Sequence, residues 1–269
     1  MSMIIEDLTI LGRAAPDLMK SKMVKTFCVA GYSPSRGFIR VYPTSIDCPM
    51  KFWNVVRVPL ERNLQDSRFE SWKIQGSKSE WDNLDSKIEE IGTYPKKERR
   101  QLVFNLVDGC RNDINDAHRS LGIIKPTKIK GYFQEREKIS ESEQKTLLDF
   151  LDIPKPKNHW IKTKAEYQFI PYIKYTCSDC KSKQGYHNQQ LLSIEAYEWM
   201  RKHPDNLDQL WENFRINDKD YDAYLFIGNQ ARRRNAFMVI SILRFKKSNY
   251  SLSRTRPLIP WKKVEKPKS

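Results

Sequence analysis

The sequence predicts an α+β protein in which two β-rich regions are separated by helices and the chain ends in a basic β-hairpin and tail. Three observations carry this. Residues 24–60 hold three short β-branched and aromatic runs about a dozen residues apart, the spacing of a small antiparallel barrel or sandwich and not of a βαβ unit. Residues 79–121 change to helical periodicity. Residues 222–247, DAYLFIGNQARRRNAFMVISILRFKK, set two apolar runs on either side of Arg232, Arg233 and Arg234, as a hairpin with a cationic tip would.

Taken in order, residues 3–11 suggest a short helix closed by Gly12 and Pro16. Strands follow at 24–30 and 38–42 across the turn GYSPSRG, then at 52–60, where Pro59 marks an end or an edge. Residues 79–91 carry Trp81, Leu84, Ile88 and Ile91 on one helical stripe, stopped by Gly92. Helices are expected at 96–108 and 113–121. Extended chain resumes at 123–136. A capping-box spacing, Ser140 to Glu143, opens a helix through 151, and Pro154 and Pro156 break it. A strand at 167–176 leads into Cys177, and helices at 191–202 and 207–214 precede the hairpin. The boundaries this suggests are 1–122, 123–247 and a basic tail at 248–269.

The 269 residues suit one large or two small domains, and 12% aromatic content argues against disorder despite 30% charge. Glu6 and Asp7 stand where a signal peptide needs positive charge, and no apolar run approaches the roughly 18–20 residues of a membrane span. Five cysteines, an odd number with only Cys177 and Cys180 close together, do not form a secreted disulfide framework. A reduced, cytoplasmic protein without a membrane partner is expected.

The net charge of +15 is concentrated. From Ala231 onward there are twelve Lys or Arg against one acid, Glu265, a surplus of eleven. Crowded like charges repel, and a phosphate backbone relieves that repulsion. A solvated tail kept for solubility is the plainer alternative. The expected phosphate contacts are Arg232, Arg233, Arg234, Arg244, Lys246, Lys247, Arg254 and Arg256.

VKTFCVAGYSPSRGFIRVYP followed by FWNVVRVPL resembles the opening of dual OB-fold domain proteins. Cys28 with Gly31 and Ile39-Arg40 with Pro43 carry the likeness, and SLGIIKP at 120–126 looks like the link into a second barrel. The likeness covers the first half of the chain. It implies two small OB-like barrels with helical insertions and a nucleic-acid-related role, often in microbial genome defence, and it transfers no catalytic residue. OB barrels pair a cationic groove with aromatic platforms, which adds Arg36, Arg40, Tyr42, Trp53 and Arg57 as candidate contacts. Core packing is the equal alternative for Tyr42 and Trp53.

Cys177-Ser-Asp-Cys180 with His187 is the most specific local motif. A Cys-x-x-Cys knuckle aims two thiolates at one point, and His187 can add a third ligand. The fourth is open: His203 is on the far side of a helix, and His159 and Cys110 would have to arrive from elsewhere. Structural zinc, a packed metal-free pair and a redox pair all stand as readings. Lys174, Lys181 and Lys183 nearby suit phosphate contact. Asp218, Asp220 and Asp222 alternate, so on a strand three carboxylates would share a face and could hold Mg²⁺ for phosphodiester hydrolysis; a polar turn entering a strand is the plainer alternative. Walker, dinucleotide-binding and nucleophile-elbow motifs are absent. The expectation is a non-enzymatic binder of DNA or RNA. The alternatives are a metal-dependent nuclease using the three aspartates, or an interaction subunit docking a larger nucleoprotein complex.

Overall fold

The computed structural model describes residues 2–19, 24–76, 78–136 and 161–247. The expected helix at 140–151, the break after it, His159 and the tail from 248, with Arg254 and Arg256, lie outside those residues.

The chain opens as strand β1 (Ser2–Arg13), not as the expected helix. The apolar residues of this stretch fit either period, and tertiary pairing decides between them. β1 is bonded along both edges, to β3 (Val24–Ser33) and to β5 (Asn54–Arg62), so that Thr9 faces Tyr32 on one side and Val55 on the other. With β4 (Gly37–Thr44) and β6 (Ser71–Ile74) the ladder runs β1-β3-β4-β6-β5 and returns to β1, closing a five-stranded barrel. Only the β4–β6 pairing in it is parallel. Ile10, Phe27, Val29, Val41, Val58 and Leu60 fill the inside and are fully buried. Gly31 sits where β3 crosses β1 closely: a Cβ there would lie 2.2 Å from the Thr9 carbonyl oxygen, so only glycine fits.

Two short strands extend the barrel edges, β2 (Asp17–Met19) on β3 and β7 (Glu89–Thr93) on β5. The expected helix at 79–91 is instead a 3-10 helix, Lys78–Lys87, running into β7. Leu84 and Ile88 are drawn into the barrel core, and the part of β5 that β6 does not reach, Asn54–Arg57, then takes Glu89 and Glu90 into its ladder. Helix α1 (Lys96–Asn105) lies where expected. α2 (Arg111–Asp116) is shorter than expected, because β9 (Leu121–Ile124) claims its far end for the sheet.

The second half is strand-rich as well, with β8 (Val107–Asp108), β10 (Pro126–Glu135), β11 (Phe169–Cys177), β12 (His187–Gln190), β13 (Tyr221–Asn229) and β14 (Phe237–Lys246). They form a three-stranded sheet, β10-β11-β12, and a four-stranded one, β14-β13-β9-β8. Only Lys125 separates β9 from β10, and Leu191, just past β12, makes a parallel bridge to Val239 of β14. Helices α3 (Ile194–Lys202) and α4 (Gln209–Asn213) fall between β12 and β13. The expected C-terminal hairpin is present as β13–β14, paired from Tyr221–Lys246 to Asn229–Phe237.

The two halves share an apolar core of Leu11, Val55, Val103, Ile123, Phe226 and Ile240. A buried polar seam runs beside it. Arg40 donates to the Ser120 carbonyl at 3.1 Å, Glu70 accepts from the Ser120 amide and hydroxyl, and Arg68 donates to the Asn229 carbonyl.

Candidate metal centre and cationic surfaces

Each of four side chains reaches one point for a local reason. Cys177 closes β11, Cys180 sits in the turn behind it, and His187 opens β12, so the β11–β12 hairpin brings all three to one end. Cys110 arrives from far away as the N-cap of α2, where its sulfur accepts from the Asn112 amide at 3.5 Å and the Asp113 carboxylate accepts from its own amide at 2.9 Å. The Cys110 and Cys180 sulfurs lie 3.4 and 3.6 Å from His187 Nε2. All four ligand atoms fall within 4.8 Å of one another. Sulfurs bound tetrahedrally at about 2.3 Å stand about 3.8 Å apart, so closing round an ion takes shifts of about an ångström.

These residues can hold a metal ion, and their chemistry fits one. Cys110 and Cys177 are buried free thiols. Burial pushes the Cys177 thiol up to about 12 and, helped by the nearby Arg111 cation, holds the His187 imidazole down to about 4. Without an ion Cys177 is therefore a neutral thiol, and His187 a neutral imidazole that offers a free ring lone pair. A divalent ion must displace protons from the thiols. The resulting three thiolates would be eased by the Lys181 amide, which donates to the Cys110 sulfur at 3.4 Å, and by Arg111. Cys110 is the fourth ligand that local spacing leaves open. His203 stacks on Trp199 at 3.8 Å between ring centroids instead.

The aspartates do not assemble. β13 begins at Tyr221, so Asp218 and Asp220 sit in the preceding turn and the strand alternation expected of them does not extend that far. Asp218 accepts from Arg215 Nη1 at 3.1 Å and from the Asp220 amide at 2.9 Å. Asp222 accepts from Arg100 Nη2 at 2.7 Å and lies 3.3 Å from Lys125 Nζ. Burial opposes its charge, but Arg100 and Lys125 prevail and hold its carboxyl below the ordinary range. Among the described residues the Cys3His cluster is the one group arranged to hold a metal.

The candidate phosphate contacts divide. Arg40 is 2% exposed and its Nη2 donates to the Ser120 carbonyl, so burial keeps it from a ligand backbone. Trp53 is buried beneath Arg99 and beside Phe245. Both belong to the packing between the halves, Arg40 reaching across from β4 and Trp53 from the turn just before β5, where its φ is +66°. Tyr42 is half-buried, with its hydroxyl 3.5 Å from Thr26 Oγ1. Arg57 is paired with Glu6 at 2.8 Å and Glu89 at 3.6 Å, and Lys181 with Asp113 at 2.6 Å.

Others stand open. Arg36 and Lys183 are exposed, and Lys174 is exposed with its Nζ 3.8 Å from the Tyr186 ring centroid. At the hairpin tip Arg232, Arg233 and Arg234 are all exposed, Arg233 bonded to the Gln230 side chain and Arg234 to Ser67 Oγ. No carboxylate pairs with any of the three among the described residues. Arg244 lies over Phe214 and 4.0 Å from Glu195; Lys246 is exposed, and Lys247 caps the Lys219 carbonyl. Lys128, Lys130, Tyr132, Tyr172 and Tyr186 were not singled out by sequence. The signal was present in the alternation K-I-K-G-Y-F facing Y-I-K-Y.

A family model described as a domain of unknown function (DUF8757) matches residues 104–258, more than half of the chain. The chain belongs to the DUF8757 family. The DUF8757 region contains all four ligands of the Cys3His cluster and the cationic hairpin. A second model, also a domain of unknown function (DUF8758), matches residues 5–105 and so spans the closed barrel. No curated protein matches the chain. Among the described residues no helix is long and apolar enough to cross a membrane.

Proposed function

We propose that the chain is a non-enzymatic nucleic-acid-binding protein whose DUF8757 half is locked by a structural zinc ion. The observation that carries the binding role is the hairpin tip. Three adjacent guanidinium groups are held out on a rigid β-ladder, and no described carboxylate neutralises them. Such an arrangement is stabilised by a polyanion. Zinc is favoured because Cys3His is a structural zinc donor set, and four protein ligands leave no open position for water. When bound, the ion would tie the N-cap of α2 to the β11–β12 hairpin across 67 to 77 residues of chain.

The strand order supports an OB-like reading of both halves. The barrel runs first-second-third-fifth-fourth strand, with the third and fifth parallel. The second half repeats that order if β9 and β10 count as one bent strand: β11, then β12, then β14 across the parallel Leu191–Val239 bridge, then β13 back to β9. Helices α3 and α4 fall between its third and fourth strands. We read the chain as two OB-like barrels on this basis. The deciding experiment measures binding of the metal-loaded protein to labelled single strands and duplexes at several salt concentrations. Binding whose log K falls steeply with log salt supports the reading; no binding to any strand form removes it.

A further inference from the structure

The geometry points to the outer face of the β10-β11-β12 sheet as a stacking platform for single-stranded nucleic acid, a deepening that rests on the binding role proposed above. Alternation splits the sheet into two unlike faces. Ile129, Gly131, Phe133, Ile173 and Tyr175 turn inward. There Trp211 of α4 presses so closely that a Cβ on Gly131 would lie 2.2 Å from its ring, and it packs 5.1 Å from Phe133. The opposite face presents Lys128, Lys130, Tyr132, Tyr172, Lys174 and Asn188, of which the lysines and Asn188 are exposed and the two tyrosines half-buried.

The registers on that face place like with like. Lys130 stands directly opposite Lys174, and Tyr132 directly opposite Tyr172. Facing lysines are destabilising across a ladder, and neither they nor Lys128 has a carboxylate partner among the described residues. An anion on this face relieves that cost. On the next rung the Tyr132 and Tyr172 rings stack at 5.6 Å with 21° between planes. Asn188 pins Tyr132 by donating to its hydroxyl at 2.6 Å, and Lys174 holds Tyr186 beside the group. Cations one rung from fixed aromatic rings match a ligand that alternates phosphate with flat base. An acidic protein would use the lysines and leave the tyrosines without a role. Bases of a duplex are stacked on one another and cannot lie on the rings, whereas an open strand offers a π-face from every base.

The test uses the full metal-loaded chain and fluorescence anisotropy with labelled oligothymidylate and oligouridylate of roughly 16 nucleotides, and a duplex of equal length. The double variant Tyr132→Ala/Tyr172→Ala is expected to weaken single-strand binding by at least about tenfold, with a smaller effect on the duplex. The second variant, Lys128→Gln/Lys130→Gln, changes only exposed side chains. It is expected to lower the slope of log K against log salt by about 1.4. Wild-type affinity for single strands in both variants, each melting as the parent does, overturns the platform and leaves the hairpin-tip role standing. A parent protein that binds neither single strand nor duplex overturns both.

Discussion

The Cys110 sulfur lies 3.4 Å from His187 Nε2 although 77 residues separate them in the chain. That contact joins the start of α2 to the start of β12 and completes a set of four donors. Purified under reducing conditions, the protein is expected to carry one zinc per chain by elemental analysis. Because the ligands bind only as thiolate and neutral imidazole, and only the folded chain assembles them, chelation should lower Tm by roughly 10 °C. Cys110→Ser should abolish stoichiometric zinc as completely as Cys177→Ser does. A parent protein that purifies metal-free and melts identically with and without chelator would refute the centre.

Arg68 links the halves, and its carboxylate partner sets an acid limit on that link. Asp66 and Arg68 are each about one-tenth exposed and joined through both carboxylate oxygens. Burial opposes the Asp66 charge, but the bonds from Arg68 win and hold its carboxyl down at about 2. The folded pKa is depressed, so the stabilisation is complete above the ordinary carboxylate range and is lost as pH falls through about 4 to 2. It amounts to about 2 kcal/mol. Asp66→Asn should therefore cost about that much near neutrality by chemical denaturation and close on the parent near pH 2.

Charge reversal of Arg232, Arg233 and Arg234 together should weaken nucleic-acid binding at least about tenfold and flatten its salt dependence by about 2 to 3 in slope. The tip is exposed, so Tm should move little. Unchanged affinity and slope would show that the tip takes no phosphates.

Gly131→Ala should destabilise the fold by about 1–3 kcal/mol, since a methyl group there enters the ring of Trp211 and the backbone cannot withdraw without breaking the β10–β11 ladder. Because the chain holds seven tryptophans, the Trp211 contribution is read as the difference in emission between each protein and its Trp211→Phe counterpart. A variant as stable as the parent, with the same emission, would disprove the close contact.

Asp220→Ala should leave stability near the parent, because Asp220 is exposed, and the parent should cleave neither DNA nor RNA with Mg²⁺ or Mn²⁺. Asp222→Asn should instead destabilise by about 1–3 kcal/mol, since it removes the charged partner of Arg100 and Lys125. Metal-dependent cleavage that disappears in Asp220→Ala would restore the nuclease reading.

Much of the chain was legible without coordinates wherever local pattern and tertiary demand agree. The strands at 24–30, 38–42, 52–60 and 167–176 and the hairpin around Arg232 to Arg234 follow from β-branched runs bounded by turn residues, and α3 from a continuous apolar stripe. Cys177, Cys180 and His187 were visible because one hairpin carries them. Three things were not. Residues 2–13 fit a helix as well as a strand until β3 and β5 supply partners on both edges. Arg40 looks like a surface contact, and Trp53 as much a contact as core, until the second half is laid over them. Lys130 and Lys174, or Tyr132 and Tyr172, become pairs only once the β10–β11 register is set.

By itself, then, the sequence determined that the runs at 24–30, 38–42, 52–60 and 167–176 are extended, where the positive charge is concentrated and which residue types are present to bind a metal, because these depend on neighbours a few positions away. Tertiary structure alone decided the barrel closure, the arrival of Cys110, the burial of Arg40 and the pairing of cations and rings on one open sheet face. Those are contacts between residues tens of positions apart, and they exist only when burial of a shared core outweighs the entropy of bringing distant chain together.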